Sequence, residues 1–270
     1  INGVGQKLVQ LSEPRSFSYH FKVLDTEEEN AFALPGGYIY ITRGLLTYLN
    51  SEAQLAGILG HEIGHAASRH AAEMLTKSLG YQFLTLGALA AGATGGGNAG
   101  NLAIVISAMS QQILLGYGRE NELQADELGM LYAVKAGYGP KGIVEFMRTL
   151  KKKEKLKAIE YHAFMASHPD TTVRVMKLED MAESYESRQG NYKTRSKEFK
   201  DQLNGLTYGP KWDDKKIRIV IAHKGETLRD IAEKTMGNPV KAWNLALLNG
   251  LREDSPLEEG QLIKTIADTN

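Results

Sequence analysis

Gly60-His61-Glu62-Ile63-Gly64-His65 is the stretch on which the reading of this chain turns. Residues four apart on a helix lie on one face, one above the other, so His61 and His65 can reach a single ion. Glu62, one step after the first histidine, falls beside that ion rather than on it. This is the H-E-x-x-H arrangement of zinc-dependent hydrolysis. A zinc ion there would polarise a carbonyl and lower the pKa of its water to about 7. Glu62 would take the water's proton and hand it to the leaving amine.

The flanks decide between a functional helix and a solvated one. Leu55, Ala56, Ile58, Leu59, Ile63, Ala66 and Ala67 are apolar or small, which predicts a largely buried helix. A buried His or Glu needs partners. Gly57, Gly60 and Gly64 each weaken a helix by up to about 1 kcal/mol relative to alanine. Close packing of another backbone, or close approach of a substrate, accounts for them.

The chain has 270 residues, enough for one large domain or two unequal ones. Apolar residues make up 42% and charged residues 24%, an ordinary globular balance. The 32 basic residues offset 32 acidic ones, so no net field draws nucleic acid, and none is expected as a partner. There is no cysteine, so any zinc site is built of histidine and carboxylate. No stretch reaches the roughly 20 apolar residues of a membrane span. Leu79–Ala93 and Leu102–Leu115 read as an apolar helical hairpin around Gly92–Gly100, which packs as core, dips into a membrane or lids the site. The chain begins at Ile1, and an upstream segment carrying an export signal is expected.

Along the chain, Gly3–Ser12 reads as a short helix. Ser16–Leu24 alternates Phe17, Tyr19, Phe21 and Val23 on one face, a half-buried strand. Ala31–Leu34 and Tyr38–Thr42 read as strands about Pro35-Gly36-Gly37, completing a small antiparallel sheet. Gly44–Leu49 is a short helix. Ser51 then caps the metal helix, with Gln54 as its capping-box partner, and that helix is expected to run to about Ser78. Helices follow at Arg119–Ala136, Lys141–Lys157 and Thr171–Ser187. Lys151–Lys153 reads as a solvated face and Tyr161–Pro169 as a loop. Gly, Pro and charges gather at Gly205–Asp214, a candidate boundary dividing the chain into 1–205 and 206–270. Beyond it come a strand at Ile217–Ala222, helices at Thr227–Lys234 and Val240–Leu248, and a strand at Gln261–Ile266. Leu228, Ile231, Ala232, Trp243, Leu247 and Leu248 fit a small core there.

A catalytic zinc site has three protein ligands and one open position. The third ligand must be His, Glu or Asp. Glu122 and Asp126 share a helix face. On one reading Glu122 reaches the metal and Asp126 accepts a hydrogen bond from a ligating histidine. On the other, both belong to an exposed acidic first turn, where carboxylates are favourable anyway.

H-E-x-x-H followed on a later helix by Asn121-Glu122-x-x-Ala125-Asp126 resembles the gluzincin metalloproteases. Ala31 to Gly37, Gly60 to Ala66, Ser167-His168-Pro169 and Arg174 keep the same order over residues 17–185. Together they make the chain similar to the M48 peptidases, the Ste24/HtpX-like family, and, lacking membrane spans, to its soluble periplasmic BepA/LoiP branch. The resemblance implies an α+β fold: a mainly helical gluzincin-like domain with a small antiparallel sheet. It implies a zinc metalloendopeptidase with one zinc ion per chain, His61, His65 and Glu122 as ligands, Glu62 as general base and then acid, and Asp126 behind a histidine. It adds His168, as a donor to the tetrahedral oxyanion or as a fourth ligand that blocks water in a resting state. It adds Arg174, which binds a carboxylate near the site. Ala31, Phe32 and Ala33 would form an edge strand that pairs with substrate backbone. Unfolded or misassembled envelope proteins are the expected substrates. The bacterial periplasm or cell envelope is the expected location, with peripheral membrane contact.

Lys224-Gly225-Glu226-Thr227-Leu228-x-x-Ile231-Ala232, Asn249-Gly250 and Leu257-x-x-Gly260-Gln261-Leu262-Ile263 resemble a LysM module. That implies a small βααβ domain and either contact with peptidoglycan or docking on the protease domain alone. Glu226 stands where the family has Asp. Two further readings stand beside the protease. One is a latent protease acting mainly as a chaperone or assembly factor. The other is a peptidoglycan-binding protein with a vestigial metal site.

Overall fold

The computed structural model describes residues 1–12, 18–74, 76, 116–156, 163–169, 171–188 and 190–268. The expected apolar hairpin and Phe17 lie outside them. Helix α1 (Asn2–Val9) leads to β1 (His20–Leu24), β2 (Ala31–Leu34), β3 (Tyr38–Thr42), α2 (Arg43–Tyr48) and α3 (Glu52–Ala67). The sheet order is β1-β3-β2. Strands β2 and β3 form the antiparallel hairpin expected around Gly36 and Gly37, both at positive φ, which glycine adopts without steric cost. Strand β1 joins the other side of β3 in parallel, because residues 25–30 carry the chain past β3 to the far edge. The small sheet is therefore mixed, and β2 is left at an edge. Tyr19 and Phe21 are buried as their alternation predicts, but Val23, on the other edge strand, is 48% exposed.

Helices α4 (Arg119–Lys135), α5 (Lys141–Leu156), α6 (Ala163–Ser167), α7 (Thr171–Glu186) and α8 (Ser196–Leu203) follow. The five-residue α6 sits where a loop was expected; it is too short for its periodicity to show in sequence. Lys153 is buried rather than solvated. It extends the stripe Ile143, Phe146, Met147, Leu150 at helical spacing, lies 4.1 Å over the Tyr48 ring and pairs with Glu29. Ser51 Oγ accepts from Gln54 N (3.1 Å), as expected of an N-cap. The Gln54 side chain accepts from Asn50 N (2.8 Å), so the box closes one residue early. Helix α3 stops at Ala67 instead of running to Ser78. Arg69 takes the left-handed conformation (φ 59°), and helix resumes at residues 70–74.

The feature that positions the site is the crossing of α3 and α4. A Cβ on Gly60 would lie 2.7 Å from the Gly129 carbonyl oxygen, and one on Gly129 would lie 2.6 Å from His61 N. Gly64 meets Ala125 at 3.1 Å, and Gly57 meets the Ile143 side chain on α5 at 2.7 Å. The three glycines of α3 are thus explained by close packing against two neighbouring helices.

The C-terminal part contains β4 (Thr207–Tyr208), β5 (Lys215–Ile221), α9 (Leu228–Met236), α10 (Ala242–Leu248) and β6 (Leu262–Asp268), with antiparallel sheet order β4-β5-β6. Leu228, Ile231, Ala232, Leu245 and Ile263 form a second apolar cluster. Leu247 and Leu248 are also buried, whereas Trp243 is 37% exposed on the outer side of α10 and does not join the core. This part docks on the first through a buried lysine. Lys264 Nζ donates to the carbonyls of Thr47 (2.6 Å) and Leu49 (2.7 Å) at the C-terminal end of α2, where the helix dipole favours positive charge. Burial holds its ammonium well below the usual lysine range. Arg43 Nη1 donates to the carbonyls of Thr207 (2.8 Å) and Gly209 (3.0 Å).

Gly129→Ala is expected to destabilise the fold by about 1–3 kcal/mol through overpacking. Gly3→Ala, where nothing lies within 4 Å of the added carbon, is expected to stabilise by up to about 1 kcal/mol. Denaturant unfolding of both variants checks the sign; equal effects would mean that the α3–α4 contact is not tight.

Candidate metal centre

Helix α3 presents His61, Glu62 and His65, all buried, toward α4. Helix α4 brings Glu122 in its first turn and Asp126 one turn later, both buried, so the exposed acidic turn is excluded. His168 follows α6, its backbone N donating to Phe164 O (2.8 Å). Arg174 comes from α7 and is almost wholly buried. The fold thus gathers residues from four segments into one volume.

Four of them converge. His65 Nε2 lies 3.0 Å from His61 Nε2, and His61 Nε2 lies 3.2 Å from His168 Nδ1. Glu122 Oε1 lies 2.9 Å from His168 Nδ1 and 3.2 Å from His65 Nε2, and Glu122 Oε2 lies 3.5 Å from His61 Nε2. One donor atom from each of His61, His65, Glu122 and His168 can be chosen so that all lie within 4.8 Å of one another. Zinc–nitrogen bonds of about 2.0–2.1 Å put tetrahedral ligand atoms about 3.3 Å apart, and the separations above bracket that value. Three imidazoles and a carboxylate also match the donor preference of zinc. The residues fit the ion.

Neighbouring charges organise the donors. Burial alone would raise the Glu122 carboxyl, but His168, His65 and Arg174 hold it well below the usual carboxylate range. Burial depresses His65 well below the ordinary imidazole value, which keeps it neutral. Burial would likewise lower His168, yet Glu122 and Glu62 raise it. Asp126 Oδ1 accepts from His61 Nδ1 (2.9 Å) and so turns the other ring nitrogen toward the cluster. Arg174 grips Asp126 with two bonds, Nε to Oδ2 (2.7 Å) and Nη2 to Oδ1 (2.8 Å). Its Nη1 donates to His168 O (3.0 Å) and lies 2.5 Å from Glu122 Oε2. The carboxylates Arg174 meets are therefore those of the site itself.

Glu62 is different. Its carboxylate is fully buried, neither oxygen has a hydrogen-bond partner among the described residues, and burial raises its pKa. The nearest ring nitrogen is His168 Nε2 at 3.5 Å. A buried carboxylate without a hydrogen bond is costly, and here it sits beside the donor cluster.

Edge strand β2 borders the site. Ala31 and Ala33 bury their side chains, Phe32 stacks on Tyr40 at 5.2 Å, and His168 Nε2 lies 3.3 Å from Ala31 O. A cleft of about 230 Å³ runs between Ala33–Gly36 and His65, Ala66, Arg69, Ala71 and Ala72. Two residues that sequence reasoning missed touch the His65 ring. Tyr117 stacks on the His65 ring at 4.0 Å, with its hydroxyl buried and its pKa raised by burial. His70 lies 2.9 Å from His65, nitrogen to nitrogen. Nothing in local sequence marks Tyr117, and His70 stands five residues after His65, off the helical period.

Comparison with known proteins identifies a family. Residues 1–182 match Peptidase family M48. The chain is 34% identical over 131 residues to the mitochondrial metalloendopeptidase OMA1 of Arabidopsis thaliana, covering 48% of this chain and 25% of that protein. It is 30% identical over 154 residues to the beta-barrel assembly-enhancing protease of Escherichia coli (strain K12), covering 56% and 32%. It is 29% identical over 161 residues to the protein of that name from Yersinia pestis, again covering 56% and 32%. The matches thus span a quarter to a third of the length of these relatives. The chain belongs to peptidase family M48, and so to the zinc metalloproteases.

Proposed function

We propose that the protein is a zinc-dependent endopeptidase whose ion is held by His61, His65 and Glu122. The observation that carries this reading is the convergence of those donors beside Glu62, a buried carboxylate without a hydrogen bond among the described residues. Zinc, when bound, supplies Lewis acidity toward the scissile carbonyl and acidifies water. Glu62, raised by burial, is the group free to accept a proton from the attacking water and deliver it to the leaving amine. Asp126, held by Arg174, fixes the His61 ring, and His168, His65 and Arg174 leave Glu122 ionised. Ala31, Phe32 and Ala33 lie on an edge strand with one side unpaired in the sheet, suited to taking an extended substrate as a further strand.

His168 Nδ1 stands at the fourth corner of the donor set, and its Nε2–H is placed to donate to Ala31 O. We read this as a resting arrangement in which His168 occupies the water position and must withdraw for turnover. This observation favours latency, the second reading. Substrates are polypeptides. We propose unfolded or misassembled proteins of the bacterial envelope, a reading supported by the names of the bacterial relatives. No helix among the described residues is long and apolar enough to cross a membrane, and we propose peripheral membrane contact. The strand-helix-helix-strand unit within 206–270 is read as a LysM-like domain that docks on the peptidase and also meets peptidoglycan.

Glu62→Gln is expected to keep zinc and cut casein cleavage by about 10²-fold or more, while Glu122→Ala lowers zinc content itself. Chelator should abolish wild-type cleavage. Full activity of Glu62→Gln, or unchanged metal in Glu122→Ala, would contradict the assigned roles. His168→Ala is expected to raise the cleavage rate; a fall of about 10²–10³-fold would instead make His168 the oxyanion donor. The full chain is expected to sediment with purified peptidoglycan, and failure to do so would leave docking as the role of the C-terminal unit.

A further inference from the structure

We infer that His70, backed by Gln124, sets the tautomer and orientation of His65 and is a positioning residue of the metal centre. This rests on the reading of His65 as a ligand. His65 Nε2 faces the cluster, 3.0 Å from His61 Nε2, and its Nδ1 points the opposite way, to His70 Nδ1 at 2.9 Å. Between two neutral rings at that separation, one nitrogen carries the proton and the other accepts it. His65 can offer a lone pair at Nε2 only if its proton is on Nδ1. His70 Nδ1 is then the acceptor, and the His70 proton lies on Nε2. That nitrogen is 3.0 Å from Gln124 Oε1, to which it donates. Every link has one donor and one acceptor. The reversed chain would need the Gln124 amide to face His70, and it would aim a hydrogen from His65 Nε2 into the donor set.

The backbone supports this assignment. His70 is 3% exposed and comes from the helix that restarts after α3. Had α3 continued, residue 70 would lie about 500° around the axis from His65, on another face. Arg69 in the left-handed region breaks the helix and turns the chain so that His70 comes back over His65. A non-glycine residue there costs of order 1 kcal/mol, and its effect is to bring the two rings together. The two histidines of α3 are thus oriented by unlike acceptors: His61 by the Asp126 carboxylate, His65 by a neutral imidazole. Asp126 and Gln124 come from α4, the helix that carries Glu122.

The test uses the full chain and zinc alone, with affinity measured by chelator competition. His70→Phe keeps the ring but removes the acceptor; His70→Asn puts Oδ1 where Nδ1 was. His70→Phe is expected to weaken zinc binding about 10–100-fold, the usual effect of losing such a partner, and His70→Asn to stay within about threefold of wild type. Wild-type affinity in His70→Phe, or an Asn variant as weak as the Phe variant, overturns the proposal. His65→Ala is run alongside. If it binds zinc like wild type, the ligand assignment falls instead. Nitrogen-15 spectra of the zinc-loaded wild type decide the matter even if His70→Phe does not fold. The proton is expected on Nδ1 of His65 and Nε2 of His70; a proton on Nδ1 of His70 overturns the proposal.

Discussion

The site depends on two helix backbones in contact. Side chains normally hold packed helices 8–10 Å apart. At the crossing of α3 and α4 there is none to do so, because Gly60 lies against Gly129. The short Glu122 side chain can therefore reach the same volume as His61 and His65. Catalytic groups tolerate little displacement, about 10²-fold in rate for 1 Å. The glycines thus act on the chemistry through distance alone, without touching a ligand atom.

Around that crossing the protein buries more charge than its core requires. Glu62, Glu122, Asp126 and Arg174 are all nearly inaccessible. Removing an ion pair from water costs several kcal/mol per ion unless the geometry repays it. Arg174 repays much of it by bonding Asp126 twice and neutralising Glu122. Glu62 accepts no hydrogen bond among the described residues, and His168 Nε2 stands off at 3.5 Å. A fold selected for stability alone would pair or discard it, so this carboxylate marks where stability has been given up for reactivity.

Helix α4 links these effects. It carries the Glu122 donor, the Asp126 acceptor behind His61, and Gln124 next to His70. A shift of α4 along α3 would disturb all three at once. The C-terminal part is joined at a different place. Lys264 donates to the carbonyls of Thr47 and Leu49 at the end of α2.

Local features were legible in the sequence because local physics produces them. The capped helix with its His61–His65 pair, the Glu122–Asp126 pair one turn apart, the hairpin at Gly36-Gly37 and the strand-helix-helix-strand order each follow from spacing, caps and turn residues within a few positions. The family pattern pointed to His168 and Arg174, whose own neighbourhoods did not. Only the tertiary structure decided which surfaces meet. It set β1 parallel to β3, placed Lys153 inside, ended α3 at Ala67, and brought Tyr117 and His70 against His65. The physical reason is that periodicity tells which face of an element is buried, whereas the partner of that face depends on how glycine contacts, edge strands and chain crossings let the elements approach.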